Sequence, residues 1–432
     1  MIILFLIAIL GRSFNKCKIL GIRRDFNVFK LNYKKIYNYL FTMHLCNIMF
    51  CEKNSELRTI TKNYEKIIEL RKKCNNINTK NKEKSNMINP FDITFGKPPT
   101  EIIDRPDLEN EIIGSFLNSN RPSPIYILTG PKGCGKTVSL TSISNKFKDM
   151  DEWIVIDLNP QEDLESQFAS MLYQKGKVKH LFLTKEFNFS FKGFGFSVSE
   201  GNIKMSSIHG ILERMLEHIK KKGIKILLTV DEVSNNNHMR VFAHSYQSYL
   251  RNNYDVSLLM TGLYENVSSL QNEEGLTFLW RAPKIYLSPL NIRAMTYSYM
   301  NILGMSEIDA KEAATITNGY AFAYQLLGYI LFNEGLKKVD DNALQRLDML
   351  LDERAYSKIY SELSKKEKEI VLAVASGKVS NSEIKDLLNM KDGTLSTYKM
   401  ILSKKGILDI SKRGEVEFLL PRFSEFIRFH EM

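Results

Sequence analysis

Cysteine, tryptophan and long apolar stretches are scarce in this chain of 432 residues. It has five cysteines and two tryptophans. Four of the cysteines lie within residues 1–86, with a spacing that fits neither a zinc site nor a paired disulfide framework: Cys17, Cys46, Cys51 and Cys74. A secreted fold built on disulfide bonds is therefore excluded, and a reducing compartment is the expected environment.

The most apolar stretch is the opening MIILFLIAIL, Met1–Leu10. As a helix it would rise about 15 Å, which is half the thickness of the hydrocarbon core of a bilayer. No basic segment precedes it, as a signal peptide would require. The sequence therefore predicts a cytoplasmic protein without a membrane anchor.

Positive charge is in excess only at the N-terminus. The whole chain has a formal net charge of +11, but residues 1–86 hold 18 basic and 6 acidic residues, leaving 42 basic and 43 acidic residues in 87–432. The overall charge is thus no argument for nucleic-acid binding, which needs a localised basic face. We expect residues 1–86 to be a disordered basic extension or an artefact of the gene model, with Met87 as the true start.

The segment GPKGCGKT, Gly130–Thr137, fits the pattern G-x-x-x-x-G-K-[ST]. An apolar β-branched run precedes it and a helical pattern follows it, so its glycine-rich turn would aim backbone N–H groups at an anion at a helix N-terminus. Lys136 would reach the β- and γ-phosphates of ATP, and Thr137 would bind Mg²⁺. The predicted cofactor-binding residues are Gly130, Pro131, Lys132, Gly133, Cys134, Gly135, Lys136, Thr137 and Val138.

A second pair of residues completes the expected chemistry. The apolar run IKILLTV has the composition of a doubly buried parallel strand and ends in Asp231 and Glu232. A nucleotide needs its metal held from another strand and its attacking water oriented. We assign Asp231 to the Mg²⁺ shell and Glu232, with Lys136, to catalysis.

Residues 87–290 alternate strand-like and helical segments, which predicts an α/β fold with a parallel sheet covered on both faces. The expected strands are Ile125–Leu128, Trp153–Leu158, Lys225–Val230, Val256–Thr261 and Lys284–Leu287. Within this region Glu186–Ser199 alternates aromatic and polar residues about a Lys-Gly turn, which predicts an inserted hairpin. Its aromatic stripe would pack internally or bind a partner.

Beyond Pro289 the pattern becomes helical, which predicts a helical lid over residues 291–355. Residues 356–432 then show three short amphipathic helices and two strand-like pieces about a turn, which is a winged-helix plan. This part holds 14 basic and 11 acidic residues, so charge does not decide between binding to double-stranded DNA and contact with protein. The candidate DNA contacts are Ser396, Thr397, Lys399, Lys404, Lys405, Lys412 and Arg413.

Together these motifs resemble the additional-strand P-loop ATPases, and within them the AAA+ proteins of the archaeal and bacterial origin-recognition-like group. The resemblance runs from about Asn89 to the C-terminus and rests on GPKGCGKT, TVDEVS, SLLMTGLYENV, FLWRAPKIYLSPL and TNGYAFAYQLLGY. It implies a P-loop NTPase parallel sheet in the order 5-1-4-3-2, with a helical lid and a C-terminal winged-helix domain.

The resemblance also implies roles for single residues. Thr261 would be the first sensor, which detects the γ-phosphate through water, and would contribute to catalysis. Arg281 would be either an arginine finger that reaches a neighbouring subunit of a homo-oligomer or one half of a structural ion pair. Asp104 and Arg105 would lie near the nucleotide base at the sheet edge or cap the following helix.

The lid departs from the initiator pattern, because Gly319–Gly328 contains no arginine to act as a second sensor. In this respect the chain resembles the signal-transduction ATPases with numerous domains (STAND), which act as slow nucleotide switches. The sequence therefore predicts a slow, Mg²⁺-dependent ATPase that presents a winged helix to DNA. The alternative is a STAND-like signalling or defence adaptor that is stabilised by nucleotide, hydrolyses little ATP and binds protein.

Overall fold

The computed structural model describes residues 88–94, 99–118, 123–182, 188–192, 195–200, 203–205 and 208–431. For residues 188–205 it describes the backbone alone. The predictions for residues 1–86 and for a start at Met87 lie outside the described residues, as does the Lys-Gly turn of the inserted hairpin. Residues 89–432 form one compact unit.

A five-stranded parallel sheet lies at the centre of the N-terminal half. Its strands are β1 (Ile125–Thr129), β2 (Trp153–Leu158), β6 (Lys225–Val230), β7 (Val256–Gly262) and β8 (Lys284–Tyr286). They lie side by side in the order β2-β6-β7-β1-β8, with every neighbouring pair parallel. Counted along the chain among these five, the order is 2-3-4-1-5, so the predicted order is confirmed.

Helices cover both faces of this sheet because alternate strand residues point to opposite sides. Ile125 and Ile127 pack into one core with helices α3 (Leu164–Gln174), α5 (Ile208–Lys221) and α6 (Asn237–Arg251). Tyr126 and Leu128 pack into the other core with α1 (Pro106–Leu117) and α2 (Lys136–Lys148). The short helices α4 (Gly176–Lys179) and α7 (Tyr264–Gln271) complete this half. The predicted α/β fold is therefore confirmed.

The predicted hairpin is part of a separate antiparallel sheet. Strand β3 (Asn188–Lys192) pairs with β4 (Gly195–Glu200), which pairs in turn with β5 (Ile203–Met205). The third strand was not predicted. The prediction that the aromatic stripe packs internally or binds a partner concerns side chains that the structure does not describe, so it stays a prediction.

The C-terminal half is helical. Its helices are α8 (Ile292–Leu303), α9 (Glu307–Ile316), α10 (Ala321–Glu334), α11 (Asp341–Leu351), α12 (Ser357–Ser361), α13 (Lys365–Ala375), α14 (Asn381–Leu388), α15 (Asp392–Lys404) and α16 (Phe423–Glu431). Short strands β9 (Leu408–Asp409) and β10 (Glu417–Phe418) pair antiparallel after α15. Within residues 356–432, the helices α13, α14 and α15 and then this strand pair follow one another as predicted, whereas α12 and α16 were not predicted. The winged-helix assignment stays a prediction. The divisions at 290 and 355 remain predictions, since one hydrophobic core runs from Phe91 to Ile427 through both parts.

Polar residues fix where these helices begin. The Asn291 and Asp340 side chains accept hydrogen bonds from the first free N–H groups of α8 and α11. Ser364 and Ser380 form reciprocal capping boxes with Glu367 and Glu383 at the starts of α13 and α14. Within the described ranges, no helix is both long enough and apolar enough to cross a membrane.

Candidate nucleotide-binding site

The loop between β1 and α2 has the backbone geometry of a phosphate cradle. Gly133 and Gly135 take φ values of 79° and 97°, which side chains other than hydrogen disfavour. A Cβ on Gly133 would also lie 2.5 Å from the Tyr320 hydroxyl. The loop leads into α2 at Lys136, so the free N–H groups of that helix face the space the loop encloses.

Lys136 folds back over this loop. Its Nζ donates hydrogen bonds to the backbone oxygens of Gly130 at 3.0 Å and Pro131 at 2.9 Å. The residue is only 9% exposed, which makes its positive charge costly unless an acceptor is present. An anion held by the loop would offer the ammonium a stronger, charged partner than these two carbonyl groups.

Four predicted residues meet where the start of α2 faces the carboxyl ends of the neighbouring strands β6 and β7. The Thr137 hydroxyl donates to Asp231 Oδ2 at 2.8 Å, and the Thr261 hydroxyl donates to the other oxygen of the same carboxylate. The backbone N–H of Glu232 donates to Thr261 Oγ1 at 3.1 Å. The Asp231 carboxylate is thus held between the hydroxyl groups of Thr137 and Thr261.

Glu232 has a strained backbone, with a φ of 55°. A non-glycine residue in this region costs about 1–3 kcal/mol, and such strain persists only where surrounding bonds enforce it. The N–H bond to Thr261 supplies one such restraint. The unusual φ and this bond together fix the position of the Glu232 backbone just after the end of β6. Glu232 also lines the adjoining cavity.

A cavity of about 620 Å³ lies over the loop. Its lining includes seven of the nine predicted cofactor-binding residues, from Lys132 to Val138, together with Glu232. Gly130 and Pro131 form the start of the loop, and Thr261 is fully buried beneath it. Sequence reasoning did not assign Lys358 on α12 or Glu362 directly after it to the site, although both line this cavity.

The donor set fits a Mg²⁺ ion that arrives with a nucleotide. Mg²⁺ typically takes one or two protein oxygens and completes its shell with phosphate oxygens and water. The Thr137 hydroxyl and the Asp231 carboxylate supply two such oxygens within hydrogen-bonding distance of each other. Among the residues described, no group of three or more His, Cys, Asp or Glu residues could hold a metal alone.

Arg105 supports the loop from the side. Its guanidinium donates to the backbone oxygen of Cys134 at 2.9 Å and to that of Ser288. Burial lowers the pKa of Arg105, and the nearby Cys134 opposes this shift. The resemblance implied that Arg105 lies near the nucleotide base. In the structure, Arg105 lines the cavity and its side chain donates a hydrogen bond to the backbone of the phosphate loop. Its side chain makes no capping bond to α1.

The lid contacts the loop directly. The Tyr320 hydroxyl donates to the backbone oxygen of Lys132 at 2.5 Å, and the backbone N–H of Phe322 donates to that of Gly133 at 3.1 Å. Burial raises the pKa of Tyr320 above its ordinary value, so the phenol stays neutral and able to donate. Sequence reasoning missed Tyr320, although its place directly before the lid helix α10 was a usable signal.

Gln325 on α10 lines the same cavity. Its side-chain amide donates to the backbone oxygen of Glu101 at 2.7 Å and accepts from the N–H of Asp92 at 3.1 Å. Both ends of the amide therefore hold the segment that precedes α1. This segment is attached a second time through Phe91, whose ring packs so closely on Gly328 that a side chain there would overlap it.

The C-terminal part also reaches the loop. A Cβ on Gly406, at the end of α15, would overlap the Pro131 ring. The neighbouring Lys405 Nζ lies 2.9 Å from Glu265 Oε1 on α7 and 2.7 Å from Glu367 Oε1 on α13. These contacts join α15 to the sheet domain beside the phosphate loop.

Two of the candidate DNA contacts are used inside the molecule, which corrects that part of the prediction. Lys399 is buried and donates to the Asn381 side chain, and Lys405 is held by its two glutamates. Lys399 shares the inward stripe of α15 with Leu395 and Leu402, a spacing of four and three residues that could have revealed its burial. Ser396, Thr397, Lys412 and Arg413 are exposed, and Lys412 Nζ also lies 2.6 Å from Glu417 Oε1.

Arg281 lies outside the cavity lining. It is exposed at the end of a short 3₁₀ turn, Thr277–Arg281, just before β8. Its proposed role as an arginine finger concerns a neighbouring subunit and remains a prediction.

Two family models match parts of this chain. Residues 107–277 match a family described as an ATPase domain predominantly from Archaea, and residues 353–427 match a domain of unknown function, DUF8462. A search of curated proteins finds no match.

Solved structures align with this chain at low identity. A Walker-type ATPase of Pyrococcus abyssi, PABY2304, aligns with a TM-score of 0.55 and 16% identity, covering 78% of this chain and 99% of that one. The ORC2 protein of Aeropyrum pernix aligns with a TM-score of 0.49 and 12% identity, covering 78% and 96%. The family match, the sheet order and the geometry of the loop lead to one conclusion: residues 107–277 have the P-loop NTPase fold and are similar to archaeal-type ATPase domains.

Proposed function

We propose that the protein is a cytoplasmic ATPase switch that binds ATP with Mg²⁺, hydrolyses it slowly and presents its C-terminal part to double-stranded DNA. One observation carries the proposal. Lys136, Thr137, Asp231 and Glu232 converge at a cavity of about 620 Å³ that the lid and the C-terminal part also border. Such a volume is within the range of ligand pockets, which hold roughly 300–1,000 Å³.

Each residue has a role that its contacts support. The loop N–H groups and Lys136 bind the β- and γ-phosphates, with Lys136 exchanging its carbonyl acceptors for phosphate oxygens. Thr137 and Asp231 would hold Mg²⁺, which neutralises phosphate charge when it is bound. Glu232 orients and polarises the attacking water, and Thr261 fixes both acidic residues through its two hydrogen bonds.

Nucleotide occupancy is coupled to the lid through the loop. Tyr320 and Phe322 bond to the oxygens of Lys132 and Gly133, and Gly406 packs on Pro131. A loop that adjusts around phosphates therefore changes the contacts of both the lid and α15. A ligand shifts such an equilibrium only by its difference in affinity for the two states. ATP must therefore bind one arrangement about tenfold more tightly for each 1.4 kcal/mol of shift.

The proposed DNA contacts are the exposed polar residues at the start of α15 and the turn between β9 and β10. Ser396 and Thr397 would reach base edges, while Lys412 and Arg413 would contact phosphates. Arg281, exposed before β8, would reach a neighbouring copy if the protein forms a homo-oligomer.

ATP turnover by the full chain, measured with and without duplex DNA, tests the proposal. Stimulation by DNA that falls steeply as salt rises supports it, because phosphate contacts release counterions. The matched variants are Arg413→Gln, which should reduce stimulation, and Lys311→Gln, an exposed lid lysine that should not. Turnover that is insensitive to duplex DNA, together with unchanged behaviour of Arg413→Gln, would contradict DNA presentation.

A specific observation favours a second candidate, a STAND-like adaptor that binds protein and hydrolyses little ATP. Lys405 bridges Glu265 and Glu367 and so holds α15 on the sheet domain. The lid segment Gly319–Gly328 also lacks an arginine. Tight ATP binding with turnover that DNA does not change would favour this candidate over the first.

A further inference from the structure

A group of exposed and partly exposed aromatic and basic residues lies outside the lining of the nucleotide cavity. We call it the Trp280 surface, and it consists of Tyr264 on α7, Trp280 and Arg281 in the 3₁₀ turn, Lys284 and Tyr286 on β8, and Lys404 on α15. Trp280 is 51% exposed and Tyr286 is 44% exposed. The cavity lining includes none of these residues.

The geometry of β8 brings several of them together. Lys284 and Tyr286 are two residues apart on a strand, so both point to the same face of the sheet. Ile285 between them points the other way and packs against the core that includes Leu128. Strand β8 is also at the end of the sheet order, beside β1 alone. The outward face of β8 thus carries the basic residue Lys284 and the aromatic residue Tyr286.

Cations lie over aromatic rings across this surface. Lys284 Nζ lies 4.6 Å from the centre of the Trp280 ring, and Lys404 Nζ lies 5.4 Å from the centre of the Tyr264 ring. Both distances are within the range at which an ammonium group is attracted to the face of a ring. The Lys404–Tyr264 pair joins α15 to the sheet domain, whereas the Lys284–Trp280 pair lies within that domain.

The positive charges on this surface are not compensated. Among residues whose side chains are described, neither Lys284 nor Lys404 forms an ion pair with a carboxylate; Lys284 Nζ instead donates to Gln271 Oε1 at 3.0 Å. Burial and then the charge of Lys404 lower the pKa of Lys284, so the two ammonium groups repel each other. Glu265, the acidic neighbour of Tyr264, is already held by Lys405. An anion placed between the two lysines would relieve their repulsion.

We propose that the Trp280 surface binds single-stranded nucleic acid. Strands of this kind are bound by grooves in which Lys and Arg contact phosphates and aromatic rings stack on bases, with little dependence on sequence. The surface supplies Trp280 and Tyr286 for stacking and Lys284, Lys404 and Arg281 for phosphates. A duplex hides its base faces, so these rings suit an unpaired strand. This site is separate from the proposed duplex contacts on α15 and the β9–β10 turn.

The intrinsic fluorescence of Trp280 gives a direct test. The chain has two tryptophans, and the other, Trp153, is 1% exposed. Titrating the full chain with an oligothymidylate of about 15 nucleotides should therefore quench the emission of Trp280 through stacking. Anisotropy of the same oligonucleotide carrying a dye gives the affinity independently.

Variants separate the contributions of stacking and charge. Trp280→Ala should weaken binding about tenfold or more, whereas Tyr297→Ala, an exposed aromatic on α8, should leave it unchanged. With three phosphate contacts, raising salt from roughly 50 to 200 mM should weaken binding about 18-fold. Lys284→Gln or Lys404→Gln should reduce that loss to about 7-fold, and Lys311→Gln should not alter it.

The outcomes are distinguishable from those of the proposed function. Quenching that survives in Arg413→Gln and in Lys136→Ala supports a strand site independent of duplex contacts and of ATP binding. Loss of ATP affinity without loss of quenching would contradict the proposed switch alone. Absence of quenching, equal affinity in Trp280→Ala, or binding to duplex only would overturn the inference.

Discussion

Removing the hydroxyl of Tyr320 tests how the lid is attached to the phosphate loop. In the native protein this hydroxyl donates to the backbone oxygen of Lys132 at 2.5 Å, and the residue is 5% exposed. A hydrogen bond of this kind contributes about 0.5–1.5 kcal/mol net. Tyr320→Phe should therefore reduce the free energy of unfolding by about 1 kcal/mol, while Tyr297→Phe, whose residue is 64% exposed, should not change it.

The same loss should appear in nucleotide kinetics, because the lid borders the cavity that holds ATP. About 1 kcal/mol corresponds to a fivefold change in a rate or an equilibrium constant. We therefore expect a fluorescent ATP analogue to dissociate about fivefold faster from Tyr320→Phe, measured by stopped-flow displacement with excess ATP. A variant that is less stable but releases the analogue at the native rate would refute the coupling between lid and loop.

Three further predictions concern the catalytic, C-terminal and lid contacts. Glu232→Gln should keep the native ATP affinity while lowering the hydrolysis rate by about 10²–10⁴-fold, measured by phosphate release; native hydrolysis would remove Glu232 from its assigned role. Burial acts to raise the pKa of Glu367, but hydrogen bonds from Lys405 and Ser364 outweigh it and hold that pKa below its ordinary value. These bonds therefore add to the free energy of unfolding above the ordinary pKa of 4.5, and their contribution is lost as pH falls through the lowered value. Glu367→Gln should remove that part of the pH dependence of the unfolding free energy, measured by denaturant titration. An unchanged pH profile in this variant would contradict the argument. Gly328→Ala should displace the Phe91 ring and lower the free energy of unfolding by about 1–3 kcal/mol. The control Gly114→Ala in α1, where a Cβ meets nothing within 4 Å, should not lower it. Equal stabilities of the two variants would contradict the packing argument.

The strands and the phosphate loop could be predicted because their signals are local. A strand buried on both faces must be a short run of apolar residues, and β2 and β6 have the predicted bounds. The loop needs glycines and a lysine at fixed spacing whatever surrounds it. The order of the strands, by contrast, came from the resemblance, since nothing in a strand's own composition states its neighbour.

Contacts between residues distant in sequence could not be predicted. The bond from Tyr320 joins residues 188 positions apart, and the pairing of Lys405 with Glu265 depends on how α15 packs against the sheet domain. Lys399 illustrates a different error: it was predicted to contact DNA, although its helical spacing from Leu395 places it on the buried face. Side-chain type alone is thus a weaker guide than position on the helix.

Calorimetric titration of the protein with ATP in the presence of magnesium tests the central claim most directly. The account predicts measurable affinity that is lost in Lys136→Ala and retained in Lys148→Ala, a partly exposed lysine at the other end of α2. Undetectable binding by the native chain, or equal affinity in Lys136→Ala, would contradict it.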